Sequence, residues 1–185
     1  MYPVDAAFVK FTLRGFDELT QRADEEMVRI SRRIRDKSMS SEQNAFIEAA
    51  SMPGRSMDGM PGGKSWTMDL QNVFDRYEDI DREFVNSTLY HLRSLTERKE
   101  AMNRIMICFR ALPEGNMKQV IRIVDIQSES IKAGWIECKT MLDISETVAK
   151  RLRRDGIHKI LQIYRSPYSN QELLGPNAYK KAMNS

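Results

Sequence analysis

Apolar residues recur at steps of three and four along most of this chain, and polar runs separate the stretches in which they do so. From Gly15 to Lys37, the residues Phe16, Leu19, Ala23, Met27, Ile30 and Ile34 fall on one stripe. That spacing predicts an amphipathic helix whose opposite face carries both charges. Ala7 to Leu13 (AFVKFTL) fits either a strand or a helical lead-in. A shorter helical piece from Glu42 to Ala50 leads into a Gly/Pro/Met-rich segment, 51–66. The longest pattern then runs from Thr67 to Leu112, with Ser65 or Thr67 available as its cap. Leu70, Val73, Tyr77, Ile80 and Phe84 step 3-4-3-4, the seam of a coiled coil. The seam blurs through Asn86, Ser87, Thr88 and His91, then resumes at Leu95, Met102, Ile105 and Phe109. Unbroken, roughly 45 residues at ~1.5 Å each reach about 65–70 Å. A helix of that length needs a partner: the 16–34 helix, a second copy of the chain, or both. A break at Ser94 is the alternative, since Ser94 and Glu97 have the form of a capping box.

Leu112-Pro113 ends the long element, because a residue before proline is pushed out of helical geometry. Three shorter apolar patterns follow. Glu114–Gln127 turns Met117, Val120, Ile121 and Val124 inward. Ala133–Leu142 does the same with Trp135, Ile136, Cys138 and Met141, and Ser145–Tyr164 with Val148, Leu152, Ile157, Ile160, Leu161 and Tyr164. VIRIV alone has strand character, but its neighbours are helical. The tail from Ser166 has two prolines and little apolar periodicity, so it is expected to be largely without structure. The expected fold is all-α: N-terminal helices and one long, coiled-coil-like helix (1–112), a three-helix helix-turn-helix module (113–165), and a polar tail (166–185).

A chain of 185 residues has room for one domain or two small ones. No apolar run approaches a membrane span, and MYPVDAAFVKFTLRG lacks the layout of a signal peptide. Cys108 and Cys138 stand thirty positions apart with no CxxC, which argues against a disulfide framework or zinc site and for a reducing cytoplasm. His91 and His158 read as surface or packing residues. The stretch MPGGKSW ends like a nucleotide-binding loop. However, the first glycine of that motif would stand at 58, where the chain has Asp58; Gly59 is one residue too close, and no strand precedes it. No nucleotide and no cofactor are expected. Asp75, Asp79 and Glu83 share one helix edge, but no histidine or second acidic cluster completes a two-metal site. They read as the wet face opposite Tyr77, Ile80 and Phe84. With no nucleophile–base pair either, the expectation is a protein that is not an enzyme.

The net charge of +3 conceals an asymmetry: residues 69–83 hold six acids against two arginines, and residues 145–165 hold six basic residues against two acids. A basic segment set apart in this way suggests a face for a polyanion. Three short helices with the last one basic suggest a helix-turn-helix, whose third helix enters the major groove. Cys138 and Val148, ten positions apart, fit the contact between the second and third helices. Trp135 and Leu152 join that core, Met141–Ser145 makes the turn, and Ser145 caps the next helix. Glu146, Thr147, Lys150, Arg151 and Arg154 then project outward, with Arg153 toward the flank. Lys150, Arg153, Arg154 and Lys159 are assigned to phosphates, and Glu146, Thr147 and Arg151 to base edges. Four phosphate contacts imply a log K versus log salt slope of about −3.6.

Leu112-Pro113, the apolar VIRIV, then W-I-E ahead of L-D-I-S-E-T-V and a basic helix resemble region 4 of bacterial sigma factors. More closely, the chain is similar to phage-encoded, sigma-region-4-like regulators of late transcription, the ArpU/RinA kind, over residues 60–163. Tyr77–Glu83 (YEDIDRE) also looks like their N-terminal half. The resemblance implies a regulator in the cytoplasm of a bacterial host that binds double-stranded promoter or operator DNA and engages RNA polymerase. The long apolar seam (Leu70, Val73, Tyr77, Ile80, Phe84) implies a homodimer reading two half-sites. The chain departs from the family pattern in three places. Only Glu146 and Thr147 separate Ser145 from Val148, where three residues are usual. Leu142 or Asp143 replaces the glycine of the turn. Gly156 replaces an alanine, weakening the last helix by up to ~1 kcal/mol. The second reading is therefore a phage protein-interaction factor that keeps the helical fold without binding DNA.

Overall fold

The computed structural model describes residues 2–51, 66–175 and 178–183. Among them every regular element is helical, as the three-and-four spacing requires. The Gly/Pro/Met segment with its Gly-Gly-Lys-Ser lies outside the described residues apart from its two ends, as do the side chains of Leu70, Val73 and Ile80.

Helix α1 runs Ala6–Ser51 and α2 Trp66–Ala111, each 46 residues. The undecided stretch Ala7–Leu13 is helical. Asp5 caps it, its carboxylate accepting from the Phe8 N–H at 2.7 Å, and Val9 and Leu13 are fully buried. Gly15, expected to open the first helix, instead marks a kink inside it (φ −129°, ψ 27°). At Ser94 α2 continues without a break. Then come α3, Asn116–Ile121, which widens into a π-helical turn over Arg122–Gln127; α4, Ile131–Leu142; and α5, Glu146–Arg165. Two further helices, α6 (Asn170–Leu174) and α7 (Ala178–Met183), occupy the tail. The sequence predicts a tail largely without structure. Its Ser169–Glu172 pair closes a reciprocal capping box, and Leu173 and Ala182 are buried.

The chain divides into two compact units, residues 1–23 with 96–185, and residues 24–95. The boundary expected at 112–113 lies inside the first of these. Its larger core joins Val9 and Leu13 of α1 to Ala101, Ile105, Cys108 and Phe109 of α2 and to Ile157, Ile160, Ile163 and Tyr164 of α5. Arg104 holds the chain after α5: its guanidinium donates to the carbonyls of Tyr164, Ser166 and Tyr168 and to Asn170 Oδ1 at 2.9–3.2 Å. The C-terminus of α2 is closed by Lys118, whose Nζ donates to the carbonyls of Arg110 and Leu112 and to Glu114 Oε1 at 2.8–2.9 Å. That hydrogen bond, reinforced by the ammonium charge, holds the Glu114 carboxyl below its ordinary value. In the second unit Ile30 is buried, and it lines a cleft of about 260 Å³ with Phe84, Thr88 and His91 of α2. Phe84, assigned by its spacing to an intermolecular seam, thus has α1 beside it.

Candidate nucleic-acid interface

The end of α3, the π-helical turn, α4 and the first half of α5 enclose a second, smaller core of Val120, Ile123, Val124, Cys138 and Ala149, flanked by Trp135, Leu142, Ile144 and Leu152. Ser130 caps α4 by accepting from the Ala133 N–H at 3.1 Å. Asp143, in the left-handed region (φ 52°, ψ 40°), ends it. Three residues, Asp143-Ile144-Ser145, connect α4 to α5. Asp143 takes the left-handed backbone that glycine commonly supplies at a helix end, a conformation Asp tolerates better than most residues. Ser145 caps α5 as expected, accepting from the Val148 N–H at 3.4 Å.

The register of the two helices differs from the sequence expectation. Val148, expected in the core, is 36% exposed, and its neighbour Ala149 is fully buried. Ile136 and Met141 of α4 were also expected inside; they are 62% and 70% exposed, while Gly134 and Cys138 bury. The cause is close approach. At Gly134 an added Cβ would stand 2.8 Å from the Cα of Val124, and at Gly156 it would stand 2.4 Å from Ile121 Cδ1. Small residues let the helices approach, and apolar periodicity does not register Ala or Gly as core positions. Gly156 thus has a packing role that offsets its cost to helix propensity.

The seven residues expected at DNA separate by environment. Glu146, Thr147, Lys150, Arg151 and Arg154 are exposed on α5. Lys150 pairs with Glu146 at 2.7 Å, one turn away, a solvated pair of small energetic weight. Arg154 is 80% exposed and only loosely engaged with Asp155 at 3.5 Å. Lys159 is half-buried, its ammonium 5.6 Å from the centroid of the Tyr179 ring. Arg153 does not lie on the flank. Its side chain is 14% exposed and grips Asp125, 1% exposed, through Nε–Oδ2 at 2.8 Å and Nη2–Oδ1 at 2.6 Å. Asp125 is the residue the sequence reading missed. The available signal was a lone carboxylate following VIRIV, because a buried acid needs a cation.

Compared with known protein families, with curated proteins and with solved structures, the chain finds no match.

Both cysteines are buried and free. Burial pushes the Cys108 thiol up to about 12 against the opposing pull of the Arg104 charge, and it raises the Cys138 thiol as well. Neither is suited to thiolate chemistry. Among the described residues no group of His, Cys, Asp and Glu could hold a metal, and no helix is long and apolar enough to cross a membrane.

Proposed function

We propose that residues 116–165 bind double-stranded DNA, with α5 as the recognition helix and α4 bracing it. The observation that carries this reading is the outer face of α5. Thr147, Arg151 and Arg154 are exposed on a helix joined to α4 by a three-residue turn whose first residue, Asp143, is left-handed. Arg151 enters no ion pair among the described residues, so its guanidinium is available to a base edge or a phosphate. Exposed Lys132 and Lys139 extend positive charge onto α4. With Arg153 committed to Asp125, three phosphate contacts (Lys150, Arg154, Lys159) replace four. The expected salt slope becomes about −2.7 instead of −3.6, at about −0.9 per contact. Phage transcription control and a contact with RNA polymerase rest on the sequence resemblance alone. A homodimer rests on the apolar spacing of Leu70, Val73, Tyr77, Ile80 and Phe84 alone, and light scattering giving a monomer mass of 21.5 kDa at tens of micromolar would remove it.

The test is to select bound fragments from the source genome with purified protein. Recovery of one upstream site, with binding that weakens as salt rises, supports the reading. Exposed Ile136 and Met141 on α4 favour the second reading, a helical module that faces another protein. Fragment recovery at background would select it.

A further inference from the structure

We infer that Arg153 is a positioning residue for this DNA face: it fixes the azimuth of α5 through Asp125 and does not touch DNA itself. The inference rests on the DNA-binding reading above. In sequence, Arg151, Arg153 and Arg154 form one basic run, R-L-R-R, in which helical spacing sets Arg153 no further in than the flank. In the fold only Arg153 turns inward, and its guanidinium makes the two parallel bonds to Asp125 that a planar fork allows. The same guanidinium lies 5.8 Å from the centroid of the Trp135 ring. One side chain therefore ties α5 to the π-helical turn and to α4 at once.

The wide turn is what brings Asp125 there. Ser128 N–H reaches back five residues to the Ile123 carbonyl at 2.9 Å, and Ile123, Val124 and Asp125 are all buried in succession. Three consecutive buried positions are more than one face of an ordinary helix presents, and the added residue per turn turns the carboxylate inward.

Positioning matters in the first half of α5, because its large apolar contacts, Ile157, Ile160, Leu161, Ile163 and Tyr164, lie in the second half. Ahead of Ile157 the fully inward positions are Ala149 and Gly156, on either side of Arg153, which present little side chain to set the direction in which Arg151 leaves the helix. Successive helical residues turn by about 100°, so Arg151 leaves the helix about 200° from Arg153, nearly opposite it. Drawing Arg153 onto Asp125 therefore aims Arg151 straight outward. A rotation of α5 would carry Arg151 away from the base edge it serves, while leaving the overall positive charge unchanged.

The experiment measures affinity against salt for the selected operator and for an unrelated duplex. It uses the full-length protein and the variants Asp125→Asn, Arg153→Met and Arg154→Ala, each confirmed folded by circular dichroism. Removing a buried acid by Asp125→Asn should, on charge alone, strengthen DNA binding. Positioning predicts the reverse: Asp125→Asn and Arg153→Met each weaken the operator about tenfold or more, the size of one lost bidentate base contact. The unrelated duplex changes less than about threefold, and the salt slope stays as in the parent, whereas Arg154→Ala weakens both duplexes and lowers the slope by about 0.9. General destabilisation would weaken both duplexes alike. If either single variant fails to fold, Asp125→Leu with Arg153→Leu replaces the pair by apolar contacts and is expected to show the same operator-selective loss. A slope lowered by about 0.9 in Arg153→Met, or an operator bound as well by Asp125→Asn as by the parent, overturns the positioning role while leaving DNA binding intact. No binding of any duplex by the parent protein overturns both.

Discussion

One helix, α2, passes through both compact units and carries a similar apolar spacing in each, yet the two stretches are packed differently. Between 96 and 111, Ala101, Ile105, Cys108 and Phe109 are buried in a core that also draws on α1 and α5, and Met102 is buried as well. Between 75 and 95, Tyr77, Phe84, Leu92 and Leu95 are only half-buried, and Leu89 and Tyr90 are exposed. The spacing states that a helix has an apolar stripe; the number of elements converging on that stripe sets how much of it leaves water. In the first unit several helices converge, and in the second the described residues of α1 supply the cover.

The comparison breaks most directly on paired truncations. Ile105→Ala should cost about 2–5 kcal/mol in urea unfolding, because a fully buried side chain leaves a cavity. Phe84→Ala should cost about 1–2 kcal/mol, in proportion to its partial burial. Equal losses would mean that the two stretches are packed alike. Gly134→Ala, next in size, forces a methyl group against the Val124 backbone and should cost about 1–3 kcal/mol. Gly156→Ala meets the side chains of Ile121 and Met117 instead of backbone and gains helix propensity, so its net cost should fall below that of Gly134→Ala. If thermal melts give the opposite order, close approach at Gly134 is not what sets the register of α4.

A pH titration sharpens the same contrast. The Cys108 thiol is raised from its ordinary value of 9.0 to about 12 in the folded chain. The contribution is fully present below pH 9, where both states hold the proton. It is lost as pH rises from 9 towards 12, where only the unfolded chain has ionised. By pH 10 the loss should be on the order of 1 kcal/mol, and Cys108→Ala should remove this alkaline slope. The smallest expected effect is at Thr12, a fully buried hydroxyl without a hydrogen-bond partner among the described residues. Thr12→Val keeps the shape, removes the unmet polar group, and should gain up to about 1 kcal/mol in chemical unfolding. A loss would show that the hydroxyl has a partner.

Sequence alone determined the elements whose partners are large and apolar. The all-α class follows from spacing, as do the inward stripe at Ala23 and Ile30, the buried Met102, Ile105 and Phe109, the end of α2 before Pro113 and the Ser145 cap. These signals are local, because a helix of given spacing must present one face, and proline or serine acts within a few residues of itself. The tertiary structure decided the rest. That Ala149 and not Val148 is buried in the core that holds Cys138, that Gly134 and Gly156 are contact surfaces, and that Arg153 is spent inside while Arg151 and Arg154 remain outside depend on residues distant in the chain. The physical reason is that small and charged side chains carry no hydrophobic signature of their own. Ala and Gly become core positions only when a neighbour approaches closely, and an arginine enters a core only where a π-helical turn, 28 residues earlier, has placed a carboxylate to receive it.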